Sequence, residues 1–347
     1  MKPYAEQIRP LVFAALALCV AVCAPHEAAA QTGGAGVVTA LAFSPDDRSL
    51  FVARDREVML RDTADGRTLR VFRGHLSVVT SLAVSGDGKS LLTSGEDGAV
   101  KLWDVETGRV AGELAKGTPG DDSNYDVQVK AVAFSPDGRL AAWGDNAGDL
   151  TLWDVSAGTR LRALHEEPRA GFECVAFSTR GDAVFTAGIG GAVTLWDVKT
   201  GRKILTFEDD PVVGVRSMSV SQDGRRVLTV SGMDIRLWDS AKGKELLVFS
   251  EVMDDDYYSP HCAAFMPDGR HAISGDDGGV YVWDLKKGRV VKTLRDPPFG
   301  HVESVAVSHG GEFVAAGDVF GNVRVWRYAT GRRLWPEGRR GNEAEAE

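Results

Sequence analysis

Short apolar runs of five to eight residues recur along the chain, each closed by a polar turn. Val78–Ser85, Ser90–Ser94, Val100–Asp104 and Arg109–Leu114 are one such group of four. The runs are rich in Val, Ala, Leu and Phe, and several are apolar on both faces. That pattern suits strands of a sheet packed between two neighbouring sheets. No stretch with helical periodicity is long enough to make an amphipathic helix. The turns carry Pro, which presets φ, and Gly, which takes positive φ, as hairpins require. The pattern predicts an all-β protein.

The groups of four repeat. One phrase recurs as Leu102-Trp103-Asp104-Val105, Leu152-Trp153-Asp154-Val155, Leu195-Trp196-Asp197-Val198, Leu237-Trp238-Asp239 and Val282-Trp283-Asp284-Leu285. Leu60-Arg61-Asp62 and Val325-Trp326-Arg327 are degenerate copies at the two ends. Successive copies lie 42, 50, 43, 42, 45 and 43 residues apart. A second phrase runs in phase with the first, as in Ala42-Phe43-Ser44-Pro45-Asp46 and Ala133-Phe134-Ser135-Pro136-Asp137-Gly138. A single four-stranded unit cannot bury both of its faces, whereas a closed ring of them can.

In spacing and in the Trp-Asp signature, residues 37–335 resemble the WD-repeat (WD-40 type) β-propellers. The resemblance implies one seven-bladed propeller of four-stranded antiparallel blades. It also implies a hydrogen-bonded set that braces a blade. The second repeat carries that set complete, as His75, Thr93, Asp97 and Trp103. The seventh keeps Gly300-His301 and Trp326, with Ala316 and Phe320 aligned to Thr93 and Asp97, and His301 is given the structural role that His75 has. Propellers of this family commonly complete the last blade with an N-terminal strand. Residues 31–36 are too short and Gly-rich for that, so Arg332–Trp335 should be the seventh blade's own outer strand. Blades 1 and 7 would then meet by side-chain packing alone.

Residues 1–30 change the picture of where the protein works. Lys2 and Arg9 precede an apolar run from Leu11 to Ala24, and Ala28-Ala29-Ala30 offers the small residues of a cleavage site. This reads as a secretory signal cut before Gln31, making the protein periplasmic or extracellular, with no membrane contact after cleavage. Residues 31–36 read as a short linker and 336–347 as a disordered polar tail. The net charge of −9 argues against nucleic acid as a partner. Only Cys174 and Cys262 remain after cleavage. They sit two blades apart and read as small hydrophobes.

Candidate chemistry comes from aligning the first strands. One polar position recurs as Thr39, Thr80, Lys130, Glu173, Arg216, His261 and Glu303, followed by a small one, Ala40, Ser81, Ala131, Cys174, Ser217, Cys262 and Ser304. The polar column should ring one mouth of the central channel, which in the WD-repeat family is a common partner site. Loops on that face bring Asp122, Tyr125 and Asp126, and Asp254, Asp255, Asp256, Tyr257 and Tyr258. Turns on the opposite face carry Arg67, Lys89, Arg109, Arg139, Arg202, Arg225, Arg289 and Arg332. The expectation is an acidic mouth above a basic underside. It makes the protein a monomeric, non-enzymatic scaffold that binds a protein or peptide, possibly basic, at Lys130, Glu173, Arg216, His261, Glu303 and the flanking acidic loops. No nucleophile elbow, phosphate loop, His-x-x-x-His or Cys-x-x-Cys pattern occurs, so neither cofactor nor metal is expected, though calcium at the acidic loops stays open. The alternative is an exported propeller enzyme or small-ligand binder at the channel mouth. Glu173, His261 and Glu303 converging with shifted pKa values would favour it.

Overall fold

A computed structural model describes residues 36–116, 127–165, 170–208, 213–249, 259–277, 279–295 and 300–335, together with the short strand at 22–23. Asp122, Tyr125, Asp126, Asp255, Asp256, Tyr257 and Tyr258 lie outside the described residues.

Seven blades, each a four-stranded antiparallel sheet in simple sequence order, form a β-propeller. Their inner strands are Val38–Phe43, Val79–Val84, Val129–Phe134, Phe172–Phe177, Ser217–Val220, Cys262–Phe265 and Val302–Val307. Each blade is built from contiguous residues. The seventh completes itself with Arg332–Arg333, paired to Trp326 and Arg327. A further two-residue strand, Val22–Cys23, pairs with blade 5 through Met218 and Ser217. It also neighbours the inner strands of blades 1, 4 and 7, which puts it in the channel. Cleavage before Gln31 would remove it.

The core lies between blades. Trp103 of blade 2 packs edge-on against Phe72 of blade 1 and Trp283 edge-on against Phe249 of blade 5, while Trp238 packs at a tilt against Phe207 of blade 4. The small column explains how closely the inner strands approach, and all seven of its residues are buried. Side chains there stitch one blade to the next. Thr39 Oγ1 donates to the Val79 carbonyl (2.6 Å), Thr80 Oγ1 to Val129 (2.5 Å), and Ser304 Oγ to Val38 (3.0 Å). Gly317 faces Val38 so tightly that a Cβ there would lie 2.3 Å from its Cγ1. Cys174 and Cys262 are buried thiols within this ring.

The seam between blades 7 and 1 is more than packing, which corrects the sequence expectation. Asp47, at φ 60, receives the amides of His309 (2.7 Å) and Gly310 (2.8 Å) across the seam. Trp335 reaches from blade 7 to blade 1, where its indole N–H donates to the Thr63 carbonyl (2.9 Å). The guanidinium of Arg61 lies 5.5 Å from the centre of the same ring. Arg61 replaces the repeat's Trp in blade 1, and Trp335 supplies the missing aromatic from the other side of the seam.

In blade 2 His75 Nε2 and Trp103 Nε1 meet the Thr93 hydroxyl at 2.7 and 2.8 Å, and His75 Nδ1 lies 3.1 Å from Asp97. Asp97 also accepts the amides of Leu76 (2.7 Å) and Ala99 (3.0 Å). Part of the set survives elsewhere, with Trp196 donating to Thr186, Trp238 to Thr229 and Trp283 to Ser274. In blade 7 the buried carboxylate is Asp318, which receives the Gly300, Phe320 and Asn322 amides. Phe320, which aligns with Asp97 in the sequence, is 55% exposed.

Candidate channel-mouth site

The polar column has one backbone cause. Thr39, Thr80, Lys130, Glu173 and Glu303 each occupy a bulge of the inner strand, where the register skips a residue. A bulged residue has no cross-strand partner, and its side chain is turned out of the sheet's alternation. Arg216 and His261 stand one residue ahead of their shorter inner strands and donate their amides to Val230 and Gly275. Thr39 and Thr80 are buried and spend their hydroxyls on the next blade, so the charged part of the ring is Lys130, Glu173, Arg216, His261 and Glu303.

Two carboxylates in this ring are held away from their ordinary behaviour. Burial pushes Glu303 up to about 7, against the pull of His301 and Arg216. Burial also raises Glu173, partly offset by the charge of Lys130. Glu173 Oε2 is buried and meets no hydrogen-bond partner among the described residues. A carboxyl whose folded pKa is raised favours folding when protonated, and that advantage is lost as pH rises from the unfolded value through the folded one. We therefore expect Glu173→Gln to be more stable relative to the wild type at pH 8 than at pH 4, in paired urea melts.

Blades 6 and 7 bring the densest polar group together. His261 Nε2 lies 3.0 Å from Asp277 Oδ1, and His301 Nδ1 bonds the same oxygen. The two imidazoles stand edge to face, 5.9 Å between centres and 86° between planes. Arg216 Nη1 is 3.3 Å from the other nitrogen of His261. Burial lowers the His261 pKa, while Asp277 works to raise it. Burial opposes ionisation of Asp277, yet the bonds from His301 and His261 prevail and its pKa falls.

This group was only half visible in the sequence. His261, Arg216 and Glu303 were read as site residues, but Asp277 was missed and His301 was given a structural role. His301 does not brace blade 7; it bonds Asp277 of blade 6 and its side chain is 55% exposed. The spacing holds the signal. His75 precedes Thr80 by five residues, whereas His301 precedes Glu303 by only two. Asp277 stands six residues before Trp283, as Asp97 does before Trp103. In the sequence Asp256 takes the place that His75 has relative to the polar column, and Asp277 bonds His261 and His301 at the mouth.

The two faces are less polarised than expected. The underside turns that hold the basic residues also hold aspartates that fasten them, such as Asp104 to Thr107 and Asp197 to Thr200. Arg67 lies 3.7 Å from Asp62 and 3.6 Å from Asp65. The underside is therefore mixed in charge. Apolar exposure separates the faces better. Leu69, Val110, Leu161, Ile204, Leu246 and Val291 lie on outer strands at the rim. Among the described residues, the other exposed large apolar side chains, Leu76, Val127, Ile189, Val213, Met233 and Phe320, all lie on loops and turns of the mouth face. Ile189, Val213 and Met233 come from neighbouring segments, since Gly214 lies against the Ile189 backbone and Gly232 against the Val213 side chain.

A family model for the WD domain, G-beta repeat, matches residues 66–104, 201–239 and 257–284. The first two matches run from one blade's outer strand through three strands of the next. The guanine nucleotide-binding protein subunit beta of Oryza sativa subsp. japonica is 28% identical over 145 residues, 40% of this chain and 36% of that protein. Target of rapamycin complex subunit wat1 of Schizosaccharomyces pombe is 36% identical over 115 residues, 32% of this chain and 37% of that protein. Cilia- and flagella-associated protein 52 of Chlamydomonas reinhardtii is 29% identical over 135 residues, 37% of this chain and 21% of that protein. The matched part thus spans little more than a third of these relatives at most.

Proposed function

Because the chain belongs to the WD-repeat β-propeller family, whose members typically act as protein-interaction scaffolds, we propose that it is an exported, non-enzymatic scaffold that docks a protein or peptide on its channel-mouth face. The observation that carries this is the placing of exposed apolar side chains. Away from the rim, all those described lie on the mouth face, and Ile189, Val213 and Met233 come from neighbouring segments of it. An apolar centre within a polar surround is the usual anatomy of a protein interface. In the sequence, acidic segments at 121–126 and 254–256 precede two of the inner strands, which favours a basic partner. Export rests on the signal-like residues 1–30.

Ile189→Asp with Met233→Asp should abolish docking, since a charge in the apolar centre leaves a desolvated group unpaired. The check is capture from the native host with the wild type, this variant, and an underside variant, Arg109→Glu with Arg139→Glu. We expect one species held by the wild type and the underside variant and lost from the mouth variant. Loss only from the underside variant would put the site on the other face.

A second reading is favoured by one observation. Glu303, pushed up to about 7, lies in the field of Arg216, His301 and Asp277. Converging shifted groups of this kind suit a small-ligand site at the mouth. A small molecule that protects the mouth from exchange without any captured protein would favour it.

A further inference from the structure

We infer that His261, Asp277 and His301 form a binding site for one divalent transition-metal ion of the zinc class. The side chains come from three places: the start of blade 6's inner strand, the turn between its second and third strands, and the loop leading into blade 7. Their ligand atoms all lie within 4.8 Å of one another. One carboxylate oxygen is bonded by a nitrogen from each imidazole, and the two rings stand nearly perpendicular. Two imidazoles and a carboxylate are a common ligand set for zinc and its neighbours, and a poor one for calcium or magnesium, which take oxygen. The His261 side chain is 10% exposed, against 40% for Asp277 and 55% for His301. The site is thus anchored on one side and open on the other, leaving a coordination position for water or a partner's side chain. This inference does not depend on protein docking.

Arg216 is the group that opposes the metal. Its guanidinium faces Nδ1 of His261, which must then be the acceptor and leave the proton on Nε2. Ligation through Nε2 moves that proton to Nδ1 and turns it against Arg216. Removing the arginine relieves both the tautomer conflict and the repulsion between two cations. This sets the metal site apart from a mere polar cluster, which loses a partner when Arg216 is removed.

The test is titration of Zn2+ into the untagged, metal-stripped full chain by calorimetry, with Ca2+ as the control ion. We expect one Zn2+ per chain. His261→Ala and His301→Ala should each weaken binding by at least about tenfold, and Arg216→Gln should tighten it. Thermal melts run alongside report folding. Zn2+ should raise the melting temperature of the wild type and raise that of His261→Ala by less at the same concentration, because a ligand of the native state stabilises it in proportion to its affinity. Wild-type binding no tighter than that of the folded His261→Ala, His301→Ala double variant overturns the site. So does Ca2+ binding in preference to Zn2+.

Discussion

Trp335→Ala should lower the unfolding free energy by about 3–5 kcal/mol, the range for deleting a large buried aromatic. The side chain is 5% exposed and lies in one apolar cluster with Val38, Leu41, Phe43, Leu50, Ala306, Ala315 and Val325, residues of both blades at the seam. Truncation removes that packing, leaves the Thr63 carbonyl without its indole donor, and uncovers Arg61. The ring closes without an exchanged strand, and Trp335 adds to the stack of Phe43 of blade 1 on Phe313 of blade 7 at the same seam. Urea melts give the magnitude. Hydrogen exchange should quicken in Val38–Arg73 and Val302–Arg333 and hold elsewhere. Equal acceleration in all seven blades would mean that the seam is not the weak joint.

Asp97→Ala should cost about 3 kcal/mol at neutral pH, since charged hydrogen bonds are strong and three buried donors lose their acceptor. Burial penalises the Asp97 carboxylate, but the bonds from His75 and from the Leu76 and Ala99 amides outweigh it and lower its pKa to about 2. A depressed carboxylate stabilises the fold at pH above its unfolded value, near 3.8, and that contribution is lost as pH falls toward 2. The wild type and the variant should therefore converge in stability across that window. Phe320→Ala, on an exposed turn, should change stability by no more than about 0.5 kcal/mol. If Asp97→Ala and Phe320→Ala cost the same, the buried set contributes nothing.

Why the sequence spoke clearly on some points and not on others follows from how far apart the interacting residues lie. The blade is a local object. Its turns, apolar runs and Trp-Asp signature fall within about 43 residues, so phase alone gives the strand order. The polar column was equally legible, because the bulge that aims Lys130, Glu173 and Glu303 recurs at one place in five of the seven repeats. Contacts between repeats were not. Arg61 looked like a defect until Trp335 was seen beneath it, 274 residues away. Asp277 looked like an ordinary turn residue because its partners, His261 and His301, come from different loops. His301 was misassigned because a Gly-His pair was matched by identity, when its distance to the inner strand differed. The underside seemed basic because arginines were read without the aspartates that fasten the same turns.

Photo-crosslinking in the native host tests the docking face most directly. A crosslinking amino acid is placed at Met233 or Ile189 on the mouth, at Ile204 on the rim, and at Arg109 beneath. The expected result is one discrete crosslinked species from Met233 and Ile189, and none from Ile204 or Arg109. A discrete species from Ile204 or Arg109, with the mouth positions silent, would contradict docking at the channel mouth.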